Sequence, residues 1–406
     1  MGLRPPGDRA AADVTPIRAR QPPLSLAVAA LTLAVQNGTL LAFGVLYLPL
    51  VAELGEGRGA VAAVQSAVLL LGGLGAPLAG AALDRWGPRR LFQAGAAVAA
   101  LGLAWASQTQ SLLPLVLAYG VVAGAGLAAL GSTPNMVVVA QWFPGRRARA
   151  IALADLGTPA GGFLLVPLAQ LVVEQAGWRT AWLLFATLLV GVVLPANAFQ
   201  QAPAAAATRS PAGLGAAAGT RVFWALAVLR FCVGVAFTVV NTHVVALAID
   251  AGIAPLHAAG AIAGVGIVSL AGRLGVGWVT DRLGPAPALT LAFGCAAAGL
   301  GSLALLAGSG QAAWLAAYVA CYGVAQGSGG IVSTAAATAA FPGRAAGAIT
   351  GWIALASGPG EALGAWAGGA LYDWTGGYAA ALWLSLAALV TGVAAIWAAG
   401  RRAPYS

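Results

Sequence analysis

Apolar stretches of about 20 residues follow one another along almost the whole chain, separated by short polar connections that carry arginine, glycine or proline. Each stretch is long enough to cross the roughly 30 Å hydrocarbon layer of a bilayer as a helix. The pattern predicts spans at about 24–51, 59–83, 89–107, 112–142, 147–174 and 178–199, and again at about 222–249, 256–280, 286–308, 312–341, 345–371 and 377–399. Residues 200–221 interrupt the pattern. They are rich in Ala, Pro and Gly, include Arg209, and read as a linker. The expected organisation is a tail (1–23), a six-helix bundle (24–199), the linker (200–221), a second six-helix bundle (222–399) and a short tail (400–406). This is an all-α polytopic membrane fold of about twelve helices.

The two bundles repeat each other. Gly75-x4-Gly80-x3-Asp84-Arg85-x-Gly87-Pro88 matches Gly272-x4-Gly277-x3-Asp281-Arg282-x-Gly284-Pro285. Tyr119-Gly120-Val121-x2-Gly124-x-Gly126 matches Tyr322-Gly323-Val324-x2-Gly327-x-Gly329, and Phe143-Pro144-Gly145-Arg146 matches Phe341-Pro342-Gly343-Arg344. Three motifs in one order imply homologous halves. Parallel repeats of this kind put a substrate site near the bilayer midplane, between the halves.

Composition changes the picture in two ways. Charged residues make up 8% of the 406 residues, against about a quarter in soluble chains, which excludes a soluble protein. The net charge of +9 invites a nucleic-acid reading, but the arginines are placed otherwise. All 20 basic residues are arginine, and nearly all those in connections fall in the tails, the linker and every second loop. Only Arg58 and Arg179 lie in the opposite loops. That alternation follows the positive-inside rule and predicts both termini in the cytoplasm. Without lysine no phosphate-binding Gly-x4-Gly-Lys-Ser/Thr loop exists, which argues against an ATP-driven pump. Cys232, Cys295 and Cys321 fall inside spans and read as small hydrophobes; no cofactor or metal site is expected.

Ionisable residues at membrane depth carry the candidate chemistry, because each costs at least a few kcal/mol to keep there. Arg273 lies eight residues before Asp281, and Asp155 eight residues after Arg147, so each is about 12 Å inside its span. Arg230, nine residues after Arg221, has similar depth. A guanidinium stays charged and offers a planar fork that fits a carboxylate, so Arg273 is the expected anion receiver and Arg230 a second attraction. In the repeat Arg273 aligns with Ala76, so one half carries a buried cation that the other lacks. Glu361, in a Gly/Pro-rich part of span eleven, is expected nearer the opposite face and, by depth, away from both arginines.

At these motifs the chain resembles the major facilitator superfamily. Gly80-x3-Asp84-Arg85-x-Gly87-Pro88-Arg89-Arg90 is similar to its signature loop between spans two and three. Gly44-Val45 through Pro49, Trp142-Phe143-Pro144, Gly177-Trp178-Arg179, and His243 followed by Asp250 and Gly252 resemble the monocarboxylate-carrier branch and its oxalate/formate relatives. The resemblance implies that Arg273 binds a substrate carboxylate. It also implies that spans five and eight pack across the halves, which would pair Asp155 with Arg273. Tyr119 and Tyr322 are implied to face the cavity, and Asp84-Arg85 with Asp281-Arg282 to act as gate latches. Where animal members have an aspartate one turn before the arginine this chain has Ser269, and the first-span lysine is missing near Leu41. Where oxalate-type relatives carry a lysine it has Trp352 and Glu361. His243 and Trp352 join the candidate substrate contacts, and Asp155 and Glu361 are the candidate proton-coupling acids.

The expected function is secondary active transport of a small organic anion, a monocarboxylate, by alternating access and coupled to protons. The expected setting is the bacterial cytoplasmic membrane, with a monomeric carrier, the lipid bilayer around it and no nucleic-acid partner. An efflux carrier for larger amphipathic compounds and an anion exchanger remain open alternatives.

Overall fold

A computed structural model describes residues 16–143, 146–201, 214–341 and 346–400. Most of the linker with Arg209, Pro144-Gly145, the stretch 342–345 with Arg344, and both outer tails lie outside the described residues. All regular structure among the described residues is helical. Among the described residues, nine helical runs are long and apolar enough to cross a membrane. Two of these runs, Arg58–Ala106 and Arg149–Phe199, contain a reversal and therefore two crossings each. The broken span eleven, Ala346–Leu355 followed by Ser357–Thr375, supplies one more.

The internal repeat is visible in the backbone. The first reversal is at Gly87, with φ 77° and ψ 166°; its counterpart Gly284, between spans eight and nine, has φ 85° and ψ 170°. Only glycine enters that region without steric cost, so the shared Asp-Arg-x-Gly motif encodes one turn used twice. Proline follows both glycines, Pro88 and Pro285, and fixes the first turn of the next helix, where its missing N–H costs nothing. Span seven, Arg221–Asp250, starts where the Thr220 hydroxyl caps the N–H of Phe223 at 3.3 Å.

Each half has its own aromatic core. Tyr119 lies between Phe43 and Trp182 in the first half, and Tyr322 between Phe237 and Tyr318 in the second. The halves meet through small residues, which let helix backbones approach closely. A Cβ on Gly73 of span two would lie 2.3 Å from the Cα of Gly358 in span eleven. A Cβ on Gly266 of span eight would lie 3.2 Å from the carbonyl of Pro159 in span five. Spans five and eight therefore do pack across the halves.

Spans four and ten differ. Span ten is α-helical over Ala312–Ala325, breaks at Gln326 and Gly327, and resumes as Ser328–Ala340. Span four has a π-helical stretch, Val116–Ala123, and breaks further along, before Ser132–Trp142. Gly327 adopts φ +85° at the break, whereas its sequence counterpart Gly124 is helical with φ −56°.

Candidate functional site

A cavity of about 710 Å³ lies between the halves, toward the face that carries most of the arginines. Asp155, Arg230 and Arg273 line it together with Ser132, Thr158, Ser333, Thr334, Thr338 and Thr350. Three of the ionisable residues singled out from the sequence thus converge on one space.

Arg273 reaches across from span eight, and its Nη1 donates to Asp155 Oδ2 in an ion pair. Asp155 ends the short helix Arg147–Asp155, where span five bends before continuing from Gly157. The Thr158 hydroxyl donates to Asp155 Oδ1 at 3.0 Å, and the Thr158 carbonyl accepts from Asn37 Nδ2 of span one at 2.8 Å. These bonds orient the carboxylate toward the arginine. About 24% of the Arg273 side chain and 30% of the Asp155 side chain are accessible, so a ligand in the cavity can reach both. Arg273 Nε, by contrast, is buried without a hydrogen-bond partner. The guanidinium lies against Gly327, where a Cβ would be 2.8 Å from Nε and 3.1 Å from Cζ. Gly327 is needed twice there, for its positive φ and for the missing methyl.

Arg230 packs on the same helix one turn further, its Nη1 3.4 Å from where a Cβ on Gly330 would be. It makes no ion pair among the described residues, and its Nε is buried and unpartnered. Glu361 nevertheless comes near Arg230, though without an ion pair to it within 4.0 Å. This corrects the expectation from depth. Glu361 follows the bend of span eleven, its backbone lies against Gly234 one turn beyond Arg230, and the long arginine side chain covers the difference.

The remaining candidates lie elsewhere. Tyr119 and Tyr322 are fully buried and not at the cavity. The Tyr119 hydroxyl donates to Gln65 Oε1 at 3.0 Å and that of Tyr322 to the Ala236 carbonyl at 3.4 Å, so both are satisfied within their own half. Trp352 is half exposed, on the side of its helix turned away from the cavity-lining Thr350, Ile353 and Ala354. His243 is buried toward the opposite face, with Nε2 2.9 Å from the Ala365 carbonyl and its ring 5.0 Å from that of Tyr47. Asp84, Arg85, Asp281 and Arg282 are exposed and form no ion pair among the described residues; Arg282 stacks over Trp278 at 4.1 Å.

A second ionic cluster, not foreseen from the sequence, lies at the arginine-poor face. Arg58 opens span two and donates to both carboxylate oxygens of Asp250, at 2.6 and 3.0 Å, and to the Tyr378 hydroxyl at 2.7 Å. Its guanidinium also lies 3.7 Å from the centre of the Tyr372 ring. Asp373 accepts from the N–H groups of Arg58 and Gly59 at 2.9 and 2.7 Å, satisfying the free end of a helix from the other half. Glu53, at the position in span one that matches Asp250 in span seven, accepts instead from Trp178 and Arg179 of its own half. The repeat held the signal: where the first half has Trp178-Arg179 after its glycine, the second has Gly377-Tyr378. The second half lacks a cation at that corner and takes one from the first.

Residues 24–365 match the Major Facilitator Superfamily. The chain is 31% identical over 271 residues to monocarboxylate transporter 13 of Rattus norvegicus, covering 64% of this chain and 60% of that protein. It is 34% identical over 273 residues to monocarboxylate transporter 11 of Homo sapiens, covering 62% and 56%. The matched region thus spans about 60% of the length of these relatives. Among solved structures it resembles the nucleoside transporter NupG, with a TM-score of 0.70 at 13% identity over 95% of this chain and 100% of that one. It also resembles a bacterial homolog of the human lysosomal transporter Spinster, inward-facing and occupied, with a TM-score of 0.71 at 15% identity over 95% and 97%. At such identities the likeness concerns the fold. By motif, fold and match over most of its length, the chain belongs to the Major Facilitator Superfamily.

Proposed function

We propose that this protein is a secondary active carrier for a small organic anion, in the first place a monocarboxylate, working by alternating access and coupled to protons. One observation carries the reading: an arginine–aspartate pair bridges the two halves inside a cavity that a solute can reach. The monocarboxylate transporters among the relatives support the substrate class. With the arginine-rich loops in the cytoplasm, the conformation is open inward and sealed outside by the Arg58 cluster.

Arg273 is the receiver. An arriving carboxylate competes with Asp155 for the guanidinium fork, and Asp155, released, takes a proton. Loaded in this way, the site carries no added charge through the closed state. An empty site keeps its internal Arg273–Asp155 pair and so carries the same net charge as the loaded one, and both forms can rock across the membrane.

Two variants test this in liposomes, by uptake over a panel of small carboxylates with and without an imposed pH gradient. Arg273→Lys keeps the charge but loses the fork, and is expected to abolish or severely weaken transport while the protein stays folded. Normal uptake by a well-expressed Lys variant excludes Arg273 as the receiver. Asp155→Asn is expected to retain counterflow and lose accumulation driven by the gradient. Gradient-driven accumulation in that variant would pass the coupling role to Glu361.

A further inference from the structure

We infer that the cavity has a second oxyanion subsite, built from Arg230, the Thr350 hydroxyl and the first N–H groups of Ser328–Ala340, and that it takes a short-chain dicarboxylate. This rests on Arg273 as the carboxylate receiver and extends that site by a second pole.

Charge placement is the argument. The second segment of span ten starts inside the protein at Gly327, and its first N–H groups have no acceptor within the helix. A helix start is the positive end of the dipole and stabilises anions, not cations. Here two guanidinium groups pack on it, Arg273 over Gly327 and Arg230 over Gly330. Asp155 compensates the first. No carboxylate lies within 4.0 Å of the second among the described residues, Glu361 included. Arg230 Nε and the Thr350 hydroxyl are buried, unpartnered, and belong to residues lining the same cavity. Arg230, Thr350 and the start of this helix at Gly327 and Gly330 thus line one cavity, with no carboxylate within 4.0 Å of Arg230 among the described residues.

The spacing selects the ligand. Side chains three residues apart on a helix start about 5–6 Å from each other. With Arg230 Nη1 3.4 Å and Arg273 Nε 2.8 Å from their respective Cβ positions, the two groups are at most about 12 Å apart. Two carboxylates joined by a few carbons, each one hydrogen bond from its arginine, fill that interval. A monocarboxylate on Arg273 leaves Arg230 and the helix start unanswered.

Succinate and butyrate have the same number of carbons and differ by one carboxylate, which makes them the probes. Binding of each is measured on the purified full chain by intrinsic tryptophan fluorescence, at constant ionic strength and pH. Wild type is expected to bind succinate at least about tenfold tighter than butyrate, the effect of one charge-assisted hydrogen bond. Arg230→Gln is expected to lose that preference, its succinate affinity falling by a larger factor than its butyrate affinity; Thr350→Val reduces the preference in the same direction. Equal affinities in wild type, tighter binding of butyrate, or no succinate binding would each overturn the dicarboxylate subsite without use of any variant. An undiminished preference in a folded Arg230→Gln protein would overturn it as well. Butyrate binding that survives Arg273→Gln instead refutes the receiver assignment, so the two failures are told apart.

Discussion

Arg58 and Arg230 are both arginines set between the halves, and they differ in what surrounds them. Arg58 has Asp250 and Tyr378 on its guanidinium, an aromatic ring beneath it, and Asp373 on its own N–H. Arg230 lines a cavity with a buried nitrogen that nothing meets. A cation paired with a carboxylate and a phenol holds parts together, whereas a buried donor left without a partner calls for another explanation, such as a ligand. Arg273 stands between these two, with one group bound to Asp155 and one unpaired.

Gly327→Ala should be the most damaging change to the cavity side of this comparison. It adds a methyl 2.8 Å from Arg273 Nε and forces a left-handed backbone on alanine. Loss of nearly all substrate binding at normal membrane expression is the expected result, read by liposome uptake. A fully active alanine variant would mean that the break in span ten does not set the arginine's position.

Arg58→Gln attacks the sealed side. It leaves Asp250 without its cation and removes the side-chain part of the outer bridge, the backbone bonds to Asp373 remaining, at a cost of about 1–3 kcal/mol. The protein should melt lower, and a cysteine introduced at Tyr47, fully buried beside this cluster, should become reactive toward a membrane-impermeant thiol reagent. Exchange of the charges, Arg58→Asp with Asp250→Arg, should restore part of the protection. No change in labelling would remove the cluster from the seal.

Tyr322→Phe should have the smallest effect. Its hydroxyl makes one long bond within its own half, so stability should fall by no more than about 0.5–1.5 kcal/mol with substrate affinity unchanged. A drop in affinity alone would bring this tyrosine to the substrate in another conformation.

Much of the fold was legible in the sequence, because hydropathy marks crossings and the Asp-Arg-x-Gly-Pro repeat fixes two turns. Asp155 and Arg273 were legible as well, since burial in lipid makes charged residues conspicuous and their equal depths forecast their meeting. Glu361 was not, because depth counted in residues ignores the bend of span eleven and the reach of an arginine. Tyr119 and Tyr322 share a motif, but the motif does not tell that each hydroxyl finds an acceptor inside its own half. The Arg58 cluster is built from loop-end residues distant in sequence, and only the mismatch between the repeats, Arg179 against Tyr378, hints at it.

The crossing of Gly73 and Gly358 has a mechanical consequence. With no side chain between them, the two backbones cannot come closer, and any addition on either side would push them apart. For the proposed rocking of the halves such a contact serves as a fulcrum. Gly59, about 21 Å further along span two at helical rise, is the end of one lever arm and now touches Ala370. Tilting the halves about Gly73 and Gly358 to part Gly59 from Ala370 swings the far arms together by a comparable distance. In the proposed alternating access, one pair of glycines thus ties the opening of one mouth to the closing of the other.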